Sequence, residues 1–294
     1  MTVEVVVASG KGGTGKTFLS SNLIFFLIQT GTGNIVGVDA DVEAPDLLLA
    51  LGGAVRELWR DEYYGSAVPD IDLSLCSKCW TCIEACKFNA LRKTNSGPQV
   101  DERNCEGLGV CAMVCPSGAI RMRPRKTGEI FASLTGIGVV VVTGELELGG
   151  RSSGRLVYEL KTRARRMGPD IMVVDAAPGI GCPVISSISG ADLLLVVVEP
   201  IPQSVKGAER LVSTAEQLGT EWMVVLNKFD GEYGLLRTVS EKFGDRIVGK
   251  IPYDVIVVES YTHMVPLLKY APSSSAAKAL REALREVGVR TGWW

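Results

Sequence analysis

The chain has 294 residues, 46% of them hydrophobic and 22% charged, and a formal net charge of −2. That length allows one large domain or two ordinary ones with a substantial core, and the composition excludes a disordered chain. The near-neutral charge leaves no global basic field to attract nucleic acid, so none is expected as a partner.

The opening MTVEVVVASG runs straight into an apolar strand with no basic region or cleavage site ahead of it, so a secretory leader is not expected. The longest apolar stretches, such as 23–28 and 139–142, are far too short to cross a bilayer. Val3–Ala8 is a β-branched run of the kind found in strands buried on both faces. It leads into Gly10-Lys11-Gly12-Gly13-Thr14-Gly15-Lys16-Thr17, which satisfies G-x-x-x-x-G-K-S/T between a strand and a helix. Glycines let such a backbone curl until its N–H groups face phosphates, and the helix N-terminus adds positive potential. Lys16 is expected on the β- and γ-phosphates of ATP and the Thr17 hydroxyl on Mg2+. A helix over 17–29 follows, and then a second strand over 35–39 that runs into Asp39-Ala40-Asp41.

Between about 68 and 124 the sequence turns cysteine-rich, with short elements, and holds seven of the eight cysteines. Apolar strands then resume at 138–143, 171–175, 192–198, 222–227 and 246–251, with helical segments between them. Strands alternating with helices predict an α/β fold with a doubly wound, mostly parallel sheet. The cysteine-rich stretch is thus an insertion, giving an ATPase domain in two parts (1–67 and 125–294) around an inserted domain (68–124). Without an export signal, closely spaced cysteines suggest metal ligands in a reducing cytoplasm rather than disulfides.

The insertion is an internal repeat. Ile71–Cys76 matches Val100–Cys105 and Phe88–Leu91 matches Ser117–Ile120, so Cys82 pairs with Cys111, Cys86 with Cys115, and Cys79 with Leu108. Cys76-x2-Cys79-x2-Cys82-x3-Cys86 closely resembles the bacterial ferredoxin run, in which the fourth cysteine ligates the other cluster. That resemblance implies a two-cluster, ferredoxin-like domain. Carrying the crossed pattern over, a complete 4Fe–4S cluster takes Cys76, Cys79, Cys82 and Cys115, while Cys86, Cys105 and Cys111 are left as three ligands of a second site. Leucine has no lone pair, so the second site is a 3Fe–4S cluster, a 4Fe–4S cluster with one open iron, or three ordinary thiols. Zinc sites usually join two C-x2-C pairs across a longer loop, and four cysteines within eleven residues fit a cuboidal cluster better.

Lys11 makes the loop K-G-G-x-G-K-T, which resembles the deviant Walker A motif of the MinD/ParA class of ATPases. The resemblance implies a homodimer that sandwiches ATP, with Lys11 reaching the partner's nucleotide and supplying charge as an arginine finger does. It further implies that Asp41 orients the attacking water, Asp39 supports the Mg2+ shell, and Asp175, in Val173–Gly179, holds Mg2+ through water. Asn227-Lys228 resembles the adenine-recognition pair, with Pro252 flanking the base. The expected function is Mg-dependent ATP hydrolysis coupled to electron transfer toward an unknown redox or client protein. Two alternatives stay open: a cluster carrier or assembly ATPase, and a positioning or partition ATPase with structural or redox-sensing clusters.

Weaker features complete the reading. Cys182 reads as a buried thiol, with an interface ligand as the sharper alternative. His263, the single histidine, reads as a surface or loop residue. The amphipathic stretch 273–287 reads as a helix docked on its own sheet, so a membrane is not expected as a partner.

Overall fold

The β-branched runs assemble into one nine-stranded sheet, because strands apolar on both faces must be covered by helices on both sides. The computed structural model describes residues 2–229 and 233–294. Its elements begin with β1 (Val3–Ala8), α1 (Lys16–Thr30), β2 (Ile35–Ala40), α2 (Leu47–Ala50) and β3 (Ala54–Tyr63). The cysteine-rich stretch carries β4 (Ser66–Ile71), α3 (Thr81–Ala85), β5 (Leu91–Lys93), β6 (Pro98–Val100), α4 (Val110–Met113) and β7 (Ile120–Arg125). Next come β8 (Gly128–Thr135), β9 (Val140–Leu146), α5 (Ser153–Arg166), β10 (Ile171–Ala176), α6 (Cys182–Ile188), β11 (Leu193–Val198) and α7 (Pro202–Leu218). The chain closes with β12 (Glu221–Phe229), α8 (Tyr233–Phe243), β13 (Ile247–Pro252), α9 (Ile256–Thr262), α10 (Leu267–Tyr270) and α11 (Ser275–Thr291).

The chain divides into two units, one made of Met1–Asp61, Ile130–Glu145 and Ser153–Trp294, the other of Glu62–Glu129 and Leu146–Ser152. The segment expected as an insertion, 68–124, lies within the second unit, which takes in flanking residues on both sides and the separate stretch Leu146–Ser152. In the large sheet the order is β13-β12-β11-β1-β10-β2-β9-β8-β3, parallel from β13 through to β9. The last two strands of this order, β8 and the edge strand β3, were not expected. In β3 nearly every side chain is exposed and Arg56-Glu57 and Arg60-Asp61-Glu62 interrupt the apolar residues, so no buried run marks it.

α1 has apolar residues around most of its circumference because it is the central cover of one sheet face: Leu19, Leu23, Ile24 and Leu27 are fully buried. α11 buries Ala276, Leu280, Leu284 and Val287 in the same core, as the docked reading of that stretch expected. Trp293 and Trp294 pack against this core too, and the Trp294 indole N–H donates to the Leu284 carbonyl at 3.0 Å. Among the described residues no helix is long and apolar enough to cross a membrane.

In the second unit β4 pairs antiparallel with β7 and β5 with β6. The sequence repeat is visible in the backbone. The Asp72 N–H donates to Ala119 O and the Asp101 N–H to Ala90 O, both at 2.8 Å, so each half closes on the end of the other. Asp72 and Asp101 each accept from the N–H two residues on, the same turn made twice.

Candidate nucleotide site and paired cysteine sites

The glycine loop Gly10–Thr17 joins β1 to α1 at the carboxyl edge of the parallel sheet, where open α/β sheets place ligands. Its first glycine is set by close approach. A Cβ on Gly10 would stand 2.2 Å from the Gly207 Cα of α7, so the loop and that helix meet backbone to backbone. A cavity of about 420 Å³ opens above the loop. Of the residues expected from sequence, Gly12, Gly13, Gly15, Lys16, Thr17, Asp41, Asn227 and Pro252 line it. Gly10, Lys11, Thr14, Asp39 and Asp175 do not line it.

The carboxylates divide by what they touch. Asp175, ending β10 and fully buried, accepts from the Thr17 hydroxyl at 2.6 Å and from the Ser20 hydroxyl at 2.8 Å. Burial pushes its pKa up to about 7, against the pull of those two hydroxyls and of Lys16. Asp39 pairs in register with Asp175 across β2 and β10. Its oxygens accept from the backbone N–H groups of Leu47 (2.8 Å) and Asp41 (3.3 Å), so it braces the turn after β2 from below. Burial, with Asp175 beside it, holds the Asp39 carboxyl well above the usual range. The acid that faces the cavity with Thr17 is Asp46, to which no role was assigned from the sequence: its Oδ1 lies 2.9 Å from the Thr17 hydroxyl. Asp41 lines the same cavity, its pKa raised by burial and opposed by Lys16.

Thr17 has one hydroxyl hydrogen and two carboxylate oxygens within reach. One of those contacts is left for a cation or a proton to satisfy, and an oxygen-rich set of Thr17, Asp46 and Asp175 suits Mg2+. On the opposite side, Asn227 Nδ2 donates to Thr14 O at 2.7 Å and Lys228 Nζ to Gly13 O at 2.5 Å. These two side chains thus brace the loop itself, a part the adenine reading of them did not include. Tyr253, Val257 and Tyr261 add an apolar wall that no sequence motif marked.

The cysteines fall into two groups in the second unit. Cys76, Cys79, Cys82 and Cys115 line one cavity, and Cys86, Cys105 and Cys111 line another together with Leu108. Among the described residues no three His, Cys, Asp or Glu side chains converge as a single metal ion would require. Cys79 and Cys115 each have a hydroxyl two residues on, Thr81 at 3.4 Å and Ser117 at 3.6 Å from the sulfur. Lys78 and Trp80 hold positive φ on either side of Cys79, and Gly107 and Gly109 do the same on either side of Leu108. Leu108 therefore occupies a backbone built like that around Cys79, with its own side chain 65% exposed. The other side chains with donor atoms on that cavity are Glu106, paired with Arg151, Lys87, and the thioether of Met122.

Two minor expectations can be placed. Cys182 opens α6 and is exposed, which corrects its reading as a buried thiol; the turn before the helix leaves it on the surface. His263 caps the end of α9, is exposed, and lies 2.8 Å through Nδ1 from Glu259 O.

A parallel sheet with a phosphate loop, a strand-end acid and a helix-opening threonine defines a P-loop ATPase. Residues 5–267 match the family model of the CobQ/CobB/MinD/ParA nucleotide binding domain, and the chain belongs to that family. An uncharacterized protein of Methanocaldococcus jannaschii is 30% identical over 285 residues, covering 97% of each chain. An uncharacterized ATP-binding protein of the same organism is 25% identical, covering 99% of this chain and 89% of its own. The structure of the septum site-determining protein MinD with Mg-ADP from Pyrococcus horikoshii superposes with a TM-score of 0.63 at 18% identity, covering 99% and 98% of the two chains, which is a likeness of fold.

Proposed function

We propose that this ATP-binding protein hydrolyses ATP at the Gly10–Thr17 loop and couples its nucleotide state to electron transfer through clusters held by the second unit. The observation that carries the reading is the grouping of thiols: four around one cavity and three around another, divided as the crossed ferredoxin pattern divides them.

In this reading Lys16 and the loop N–H groups bind the phosphates, with Thr17, Asp46 and Asp175 as the Mg2+ set. Asp41, facing the cavity, orients the attacking water, and Asp39 holds the turn that presents Asp41 and Asp46. Pro252 and Asn227 border the space for the base, and Lys11 serves a second copy of the chain in an ATP-bound homodimer. Cys76, Cys79, Cys82 and Cys115 hold a 4Fe–4S cluster, and Cys86, Cys105 and Cys111 a 3Fe–4S or open-site 4Fe–4S cluster. Bound clusters of this type supply one-electron transfer at potentials set by ligands, hydrogen bonds and exposure.

The test is anaerobic reconstitution with iron and sulfide counts and EPR, with and without Mg-ATP. Two cluster signals, at least one shifting in potential between ADP and ATP, are expected. No bound iron sinks the cluster assignment; clusters indifferent to nucleotide sink the coupling. The exposed Leu108 beside the three-thiol cavity supports a second reading, a carrier that surrenders its second cluster. Transfer of iron and sulfide to an apo-protein, with the four-thiol cluster retained, favours that reading instead.

A further inference from the structure

The glycine loop is gripped by an acid that no motif marked. Glu199 lies between β11 and α7, and its side chain is 10% exposed. The turn that carries it is pinned, since its backbone N–H donates to the Ser204 hydroxyl at 2.9 Å. Its two oxygens are shared between two lysines: Oε2 pairs with Lys11 Nζ at 3.0 Å and Oε1 with Lys228 Nζ at 2.7 Å. Burial pushes the Glu199 carboxyl up, and the two lysines outweigh that and hold it below the usual range. Lys228 has a second hold on the loop through Gly13 O, and it reaches there from a left-handed backbone with φ 56° that a non-glycine residue adopts only under constraint.

Lys11 is thus turned onto its own chain's Glu199 and does not line the nucleotide cavity. We propose that Glu199 is a positioning residue that keeps Lys11 in reserve, so that the loop releases this lysine to the added charge of a triphosphate and not to a diphosphate. Lys228, tied also to a loop carbonyl, stays in place when Lys11 leaves. Breaking one charge-assisted pair is then a cost that ATP bears and ADP does not, which lowers ATP affinity relative to ADP. The inference rests on ATP binding at this loop and is independent of the cluster reading.

Titration of the full chain with ATP (or a non-hydrolysable analogue) and with ADP tests it. Glu199→Gln is expected to tighten ATP about tenfold and leave ADP unchanged, the scale of one charge-assisted hydrogen bond. Glu199→Asp, which keeps the charge, is expected to stay near wild type. In a Lys11→Ala background the Gln substitution is expected to have no effect on the ATP-to-ADP ratio. Equal weakening of both nucleotides, or a shift that persists without Lys11, overturns the proposal. Amine footprinting of the wild-type chain gives a reading that needs no variant to fold: Lys11 reactivity changes with the ATP analogue and not with ADP, while Lys228 changes with neither. A Lys11 that responds equally to both nucleotides also overturns it.

Discussion

Leu108 stands at the repeat position of Cys79, and the chain around it takes the same shape. Gly107 and Gly109 take the left-handed conformations that Lys78 and Trp80 take around Cys79, so the turn survives and only the side chain differs. Leu108→Cys therefore restores a thiol without rebuilding backbone. Anaerobically reconstituted Leu108→Cys is expected to bind more iron per chain than the parent, with the second site gaining the EPR signature of a fully ligated cluster. Identical iron content and spectra in the two proteins would count against a cluster on Cys86, Cys105 and Cys111.

At the scale of elements, α5 is tied to the sheet and to α6 by one buried lysine. Lys161, on the inner face of α5, pairs with Glu4 of β1 at 2.6 Å and donates to the carbonyls of Ser186, Ser187 and Ser189 at the end of α6. A cation at a helix C-terminus is favourably placed, and here it also satisfies carbonyls the helix leaves open. Arg165 reaches Glu4 from the next turn of α5. Lys161→Met leaves Glu4 buried with a single partner and is expected to cost about 3–5 kcal/mol. Burial already raises the Glu4 pKa above 4.5, with Lys161 the largest opposing influence, so the variant's Glu4 rises further. A carboxyl raised in the folded state makes stability fall as pH climbs from its unfolded value through the folded one. The deficit of Lys161→Met, followed by thermal melts, is accordingly expected to be smaller at pH 5 than at pH 8. A pH-independent deficit would remove Glu4 from the explanation.

For the molecule as a whole, the two units rest on different sources of stability. The first has an extensive apolar core where α1 and α11 cover one face of the sheet, and buried apolar residues such as Val6, Val174, Val196 and Leu160 elsewhere in the unit. The second has two small clusters, Val68 with Ala90 and Cys105, and Cys82 with Leu91 and Ile120, in which cysteines supply part of the packing. So little apolar burial calls for a further source of stability, and in the proposed reading bound clusters supply it. Calorimetry of reconstituted protein is expected to show iron removal by a chelator lowering one transition and Mg-ADP raising the other. A single transition that responds to both treatments would show instead that the units unfold together.

Much of this was readable from local pattern. The loop, the strand ends that carry Asp39 and Asp175, and the cysteine repeat are contiguous stretches legible in local spacing, so the sequence by itself determined the ATPase class, while the division of the thiols is what the resemblance to a two-cluster ferredoxin implied. β3 escaped because an exposed edge strand carries no buried run, and its place beside β8 depends on pairing across the sheet. The tertiary structure alone decided which acids face the nucleotide cavity. Asp46 comes to Thr17 from 29 residues away, Asp39 turns beneath the loop, and Glu199 crosses from another strand end to hold Lys11. Contacts between residues so far apart in the chain arise from the packing of strands and helices, and no local spacing encodes them.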